Sequence, residues 1–221
     1  MNYLIAAVNY LADPTHWTGP LGAGPLLWQH LGYSLLGVLI SAVIAVPIGW
    51  YVGHTGRGRA LAVAISGAAR ALPTLGLVTL FGLLLGIGLA APMLAFVVLG
   101  VPSVLAGAYA GIQTVDPAVV DGARSSGMSE WQVLTRVEVP LGLPVLVGGL
   151  RSAMLQVIST ATLAAYVGAG GLGRLLFLGL KTQNYAMMLA SSLLVIALAL
   201  VSDIVFDIIQ RLVTPASART T

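Results

Sequence analysis

Cysteine is absent from this sequence, which removes disulfides, thiolate metal sites and thiol nucleophiles in one step. Charge is scarce too: 8% of the 221 residues are Asp, Glu, Lys or Arg, against about 25% in a soluble globular domain. So few charges cannot cover a molecule of this size with solvated groups. A soluble fold is thereby excluded, and an all-α, polytopic membrane protein is expected. Histidine is limited to His16, His30 and His54, scattered singly, so neither a metal set nor a Ser-His-Asp arrangement is supported. No Gly-x4-Gly-Lys-Ser/Thr run occurs, so the chain supplies no nucleotide phosphate loop of its own.

What is present is apolar: 58% hydrophobic residues and 27 glycines, the small residues that let helices approach closely in lipid. Five long apolar stretches lie near Gln29–Val52, Ala60–Gly88, Pro92–Gly111, Leu143–Val167 and Ala186–Gln210. Each is long enough to cross a bilayer as a helix, which takes about 20 residues. None alternates in the manner of a membrane barrel strand. The first segment, Met1–Ala12, is apolar but too short to span and has no basic leader, so an interfacial helix is expected there.

The basic residues then set the topology. With five spans, one set of connections holds Arg57, Arg59, Arg124, Arg136, Arg211 and Arg219, and the other only Arg174 and Lys181. This places the N-terminus outside and the C-terminus in the cytoplasm. The expected organisation is an external segment 1–28, a transmembrane domain 29–210 and a short tail 211–221.

Pro73 interrupts the second stretch, and a kink or break is expected near Leu72. Arg70 lies about ten residues into that span, or ~15 Å from its start. Two roles are open for it, lining or gating a path and buried hydrogen bonding. A fixed cation on the path would oppose a cationic substrate. Arg151, Asp203, Asp207 and Arg211 are further charges near span ends, and pairing of Arg151 with Asp203 is expected. Gly82/Gly86 and Gly107/Gly111 have the spacing of close helix contacts, within the chain or between chains.

The polar connection 112–142 carries the main signal. Asp116-Pro117 reads as a helix N-cap followed by proline at the first helical position, and Gly127 as a stop. Ser129 and Gln132 have capping-box spacing for a second helix. Pro140 and Pro144 are expected to end it. On that helix Trp131, Leu134 and Val137 form an apolar stripe. It suits either a groove on a soluble partner or the underside of the chain's own spans.

The residues Asp121-Gly122-Ala123, Gly127, Val137 and Val139-Pro140 resemble the cytoplasmic signature of permease subunits of ATP-binding-cassette (ABC) importers. That signature reads Glu-Ala-Ala, three residues, Gly, nine residues, Ile, one residue, Leu-Pro; every spacing is met and the departures are conservative in size. Within the importers, the chain is most similar to permeases for glycine betaine, choline and carnitine. The residues behind this are Ala71-Leu72-Pro73-Thr74-Leu75, Val137-Glu138-Val139-Pro140-Leu141, Ala161-Thr162-Leu163-Ala164 and Gly170-Gly171-Leu172-Gly173. The Gly-Gly-Leu-Gly run also occurs in methionine-type permeases.

The resemblance implies the type I importer permease fold and a multi-pass protein of a bacterial or archaeal cytoplasmic membrane. It implies two separate ATPase subunits docked on the loop, a second permease chain, identical or paralogous, and an external substrate-binding protein. No cofactor, no metal and no nucleic acid is expected, and the chain is not expected to be an enzyme. Asp121, Gly122, Ala123, Gly127, Val137, Val139 and Pro140 are the expected coupling residues. Arg70, Pro73, Tyr166, Gly170 and Gly171 are the candidates for the path or its gate.

The glycines of Gly168–Gly173 also satisfy a dinucleotide-binding pattern. With no preceding strand, they are read instead as re-entrant backbone or close helix contact. The rivals to the osmoprotectant reading are a permease for methionine or another small nutrient, an ion-coupled secondary transporter, and an intramembrane enzyme, which would need a convergent acid, base or metal set that the sequence does not offer. Secondary carriers commonly show internal repeats, and none is found here.

Overall fold

The computed structural model describes residues 2–214, apart from the side chains of Ala69 and Arg70. The role expected of the Arg70 side chain and most of the tail, including Arg219, lie outside the described residues. The regular structure of those residues is all helical, with no strand among them.

Helix α1 (Tyr3–Ala12) is followed by a 3-10 turn (Pro14–Trp17) and α2 (Ala23–Thr55). Next come α3 (Arg59–Arg70), α4 (Thr74–Leu85) and α5 (Ala90–Gln113), then the short α6 (Pro117–Ser125) and α7 (Glu130–Val133). A π-turn (Leu134–Glu138) leads into α8 (Val139–Ala161), and a second 3-10 stretch (Thr162–Val167) precedes α9 (Gly173–Lys181) and α10 (Tyr185–Val213).

Four helical stretches are long and apolar enough to cross a membrane: Ala23–Thr55, Ala90–Gln113, Glu130–Val167 and Tyr185–Val213. The second apolar stretch of the sequence is divided into α3 and α4, of 12 residues each. Each is about 18 Å long at 1.5 Å per residue. The division falls at Ala71–Pro73, where proline lacks the N–H that would continue the ladder; Pro73 instead caps α4.

Pro140 and Pro144, expected to end the second loop helix, do not end it. The Val139 N–H donates to the Leu134 carbonyl five residues back, forming the π-turn. This wider turn carries the rod past Pro140, and α8 then runs through Pro144. Prolines are accommodated inside α2 and α5 as well, as membrane helices commonly allow.

Two compact units share these helices. The first comprises Met1–Gly37, Leu72–Val97 and Met154–Val201, and holds a cluster of Ala23, Leu26, Leu172 and Leu175 with Trp17 against it. The second comprises Val38–Ala71, Val98–Ala153 and Ser202–Thr221. In the second unit α5 and α8 meet through glycine: a Cβ on Gly107 would stand 2.7 Å from the Gly149 Cα, and one on Gly142 2.6 Å from the Gly111 carbonyl carbon. The Gly107/Gly111 spacing therefore serves packing within the chain.

Candidate functional site

The signature residues fall on α6, the turn after it, the π-turn and the start of α8, all in the second unit. Asp116 caps α6, its carboxylate accepting from the Ala118 N–H at 2.8 Å, with Pro117 at the first helical position. Gly127 ends the helix at φ +85°, the left-handed region that glycine adopts without a Cβ clash. The Met128 N–H then reaches back to the Ala123 carbonyl and the Gly127 N–H to that of Arg124. This double closure is the Schellman form of helix end.

Ala123 and Met128, brought together by this closure, pack against Val115, Val120 and Val133. The signature's third residue and its glycine are thus one device: they end α6 sharply and fold its end onto α7. Asp121 and Gly122 lie on the exposed face of α6, and a Cβ on Gly122 would meet open space. The Ser129/Gln132 capping box is formed in full. Val133 is the fully buried residue of α7, whereas Trp131, the head of the expected stripe, is 72% exposed. Val137 and Val139 are half-buried and Pro140 is exposed.

An ionic chain runs beneath this surface. Arg124 of α6 donates from Nε and Nη2 to the Glu130 carboxylate, both at 3.0 Å. Those bonds raise the Arg124 guanidinium above its ordinary value, so it stays charged. The same Glu130 lies 3.2 Å from His54 Nε2 at the end of α2, and His54 Nδ1 donates to Glu138 at 2.5 Å. His54 and Glu138 are shielded, their side chains 11% and 7% exposed. Asp121, Arg124, Glu138 and His54 line a polar cleft of about 380 Å³.

The rod that begins at Glu130 is held along its length. Beyond the two glycine contacts with α5, Arg151 pairs with Asp203 of α10 by two hydrogen bonds, at 2.5 and 2.6 Å. Asp207 stands 3.6 Å from Arg151 and 2.8 Å from Arg211, giving a closed ladder of alternating charges. Gln210 donates to the carbonyl of Pro144, one of the rod's own prolines, at 2.9 Å.

The described path candidates other than Arg70 fall in the first unit. Tyr166 is exposed on the 3-10 stretch, its ring 5.9 Å from that of Phe177. Gly170 and Gly171 take φ of +113° and +74° and are buried. The Gly171 N–H donates to Gln29 at 2.8 Å, and Tyr33 donates to the Ala169 carbonyl at 3.2 Å. His30, fully buried, accepts from the Leu172 N–H on Nδ1 and therefore donates from Nε2 to the Ile158 carbonyl, at 2.9 Å. The glycine run is thus a backbone segment read by polar side chains of α2. Among the described residues no group of His, Asp and Glu could hold a metal ion.

A family model described as binding-protein-dependent transport system inner membrane component matches residues 45–219. The chain belongs to this family. It is a permease subunit of an ABC importer, multi-pass in the membrane. Curated relatives include the carnitine transport permease protein OpuCD of Listeria monocytogenes, 31% identical over 189 residues, 85% of each chain. The glycine betaine/carnitine/choline permease OpuCB of Bacillus subtilis is 31% identical, covering 87% of this chain and 90% of its own. The osmoprotectant import permease OsmW of Salmonella typhimurium is 31% identical over 99% of both chains. Among solved structures, an inward-facing MetNI methionine ABC transporter superposes with TM-score 0.73 at 23% identity, covering 87% of this chain and 96% of that one. The permease fold is therefore the type I importer fold.

Four side chains of the permease's ionic chain escaped the sequence reading: His54, Arg124, Glu130 and Glu138. Only one signal existed for them, a glutamate between the signature's two apolar residues. An isolated histidine 84 positions away gives no hint that it meets that glutamate.

Proposed function

We propose that this permease translocates a compatible solute of the glycine betaine, choline or carnitine type, driven by ATP hydrolysis on separate subunits. The observation that carries the reading is the set of relatives named for those solutes, matched at about one residue in three across most of the chain. The exposed face of α6, with Val119, Asp121 and Gly122, is the surface offered to an ATPase groove. Ala123, Gly127, Val137, Val139 and Pro140 hold that face on the rod that becomes α8. Movement of a docked ATPase would pass along the rod into the spans, a packed element of the kind coupling requires.

The α3–α4 pair would cross the membrane as one broken span, making five. Arg57, Arg59, Arg124, Arg136 and Arg211 against Arg174 and Lys181 then put α6 and the C-terminus in the cytoplasm. A second permease chain and an external binding protein complete the assembly. Pro73, Tyr166, Gly170 and Gly171 are the path candidates, at the two interruptions of helix. Arg70 ends the helix before Pro73 and remains a candidate by position.

The test is uptake of labelled glycine betaine, carnitine, choline and methionine into liposomes holding the reconstituted complex. ATP-dependent uptake of at least one trimethylammonium solute is expected. Uptake by the permease without any ATPase overturns the coupling, and uptake of methionine alone overturns the solute class.

A further inference from the structure

The network under α6 links two parts of the chain that the signature does not join, and its centre is a histidine. Glycines prepare the place. Towards the end of α2, Gly49 and Gly53 let that helix lie against α5, where an added Cβ would stand 2.5 Å from that of Ala108 or 2.7 Å from that of Ile112. This brings the last turn of α2 beside the segment that leads into α6. His54 lies in that last turn.

The ring spans two carboxylates on the rod. Glu130 and Glu138 are eight positions apart, with Leu134 between them at helical spacing, so all three belong to one side of the rod. Glu138 closes the π-turn, whose one wider turn sets the direction of that residue. Glu130 is fixed from the other side by Arg124 of α6. The chain of contacts therefore runs α6, α7, α2, π-turn, and the shielded step within it is His54–Glu138. A shielded hydrogen bond to a carboxylate keeps more of its interaction than one in water, and it leaves a costly orphan when one partner is removed.

We propose that His54 is a positioning residue for coupling: through Glu138 and Glu130 it ties α2 to the coupling rod, and this tie stays closed throughout the transport cycle. α2 then moves with the docking helix instead of being pushed by it. This rests on the reading of the chain as an ATP-driven permease, and the experiment separates the two. The wild-type complex in proteoliposomes must first show ATP-dependent solute uptake; without it the functional reading itself fails.

With that in hand, His54→Gln and Glu138→Gln are each expected to lower solute moved per ATP hydrolysed by roughly tenfold, with the ATPase subunits still bound. His54→Lys, which offers the Glu138 carboxylate a charged donor in place of the neutral amide, should recover most of the loss. The double variant should be no worse than either single one, because both act on the same contact. Unchanged uptake per ATP in both single variants overturns the proposal, and so do losses that multiply in the double variant.

A second measurement stands if the glutamine variants assemble poorly. The absence of native cysteine leaves a clean background for His54→Cys/Glu138→Cys bridged by a short, reducible bis-thiol linker. Bridging should restore coupling that reductant then removes. Failure of the bridge to restore it shows that the tie opens in the cycle or has no part in it, and overturns the proposal.

Discussion

In the unit built on α5, α8 and the end of α10, helices touch backbone to backbone. Gly107 meets Gly149 and Gly111 meets Gly142 with no room for a methyl group. Around that contact the polar groups centre on carboxylates: Arg124–Glu130 and Arg151–Asp203 are ion pairs, and His54 is hydrogen-bonded to Glu138. In the other unit the ionic pairs give way to neutral side chains that serve irregular backbone. Gln29, His30 and Tyr33 of α2 take up the Ala169, Gly171, Leu172 and Ile158 groups where the helix is interrupted.

The difference follows from what each has to satisfy. Regular helices need nothing beyond close packing, so charge there can tie one rod to another. An interrupted helix leaves N–H and C=O groups without partners, and in a membrane each such group is expensive. One unit is fastened rod to rod; the other is furnished to keep an opening in a helix.

The contrast breaks most severely if the glycine contact is filled. Gly142→Leu places a side chain where the Gly111 backbone already stands, so α5 and α8 must separate. A cost of about 3 kcal/mol or more is expected, seen as loss of monodisperse, assembled permease in detergent. Gly148→Ala on the same helix is the control. Its nearest neighbour would be the Gln210 amide at 3.5 Å, an ordinary contact, so assembly should be retained. Equal behaviour of the two variants would show that glycine packing does not hold this unit.

In the other unit the corresponding variant is His30→Leu. It preserves volume but strands the Leu172 N–H and the Ile158 carbonyl in a buried site. Unsatisfied buried groups cost about 1–3 kcal/mol each. The melting temperature should fall, and hydrogen exchange should quicken at Leu172 while amides in α5 keep their protection. A uniform rise in exchange would mean that the histidine packs and does not serve the backbone.

The device at the end of α6 should be milder. Gly127→Ala keeps the turn but strains it, at roughly 1–2 kcal/mol for a side chain at positive φ. Local exchange at Gly127 and Met128 should increase, and solute moved per ATP should fall. Gly127→Asn, which tolerates this conformation better, should lie between the two. No difference among glycine, asparagine and alanine would remove the Schellman closure from the coupling argument.

Much of this architecture was legible in the residues because it is local. Hydropathy located the spans, Pro73 the division of α3 from α4, and Asp116, Pro117, Gly127, Ser129 and Gln132 the helical hairpin of the loop. The continuation past Pro140 was not legible, since a π-turn supplied the way round a missing donor and no residue type announces one. The glycine spacing at Gly107/Gly111 was visible, but its partners Gly142 and Gly149 were not. His30 and His54 read as strays because their partners lie far along the chain or in the backbone. Pairing of Arg151 with Asp203 could be anticipated because charges within apolar stretches are few and costly unless paired.

The smallest effect is expected where this chain departs from the family signature, and it sharpens the comparison from the favourable side. Gly122 stands where the signature has alanine, on the exposed face of α6, with open space at the missing Cβ. It has a helical backbone and no steric reason to be glycine. Gly122→Ala should therefore stabilise α6 by up to about 1 kcal/mol, the difference in helix propensity. Slower exchange in α6, with uptake per ATP retained, would show that the docking helix needs stiffness only. Slower exchange with reduced uptake would mean that α6 must yield as it docks, and that the rigid manner of the second unit ends at this helix.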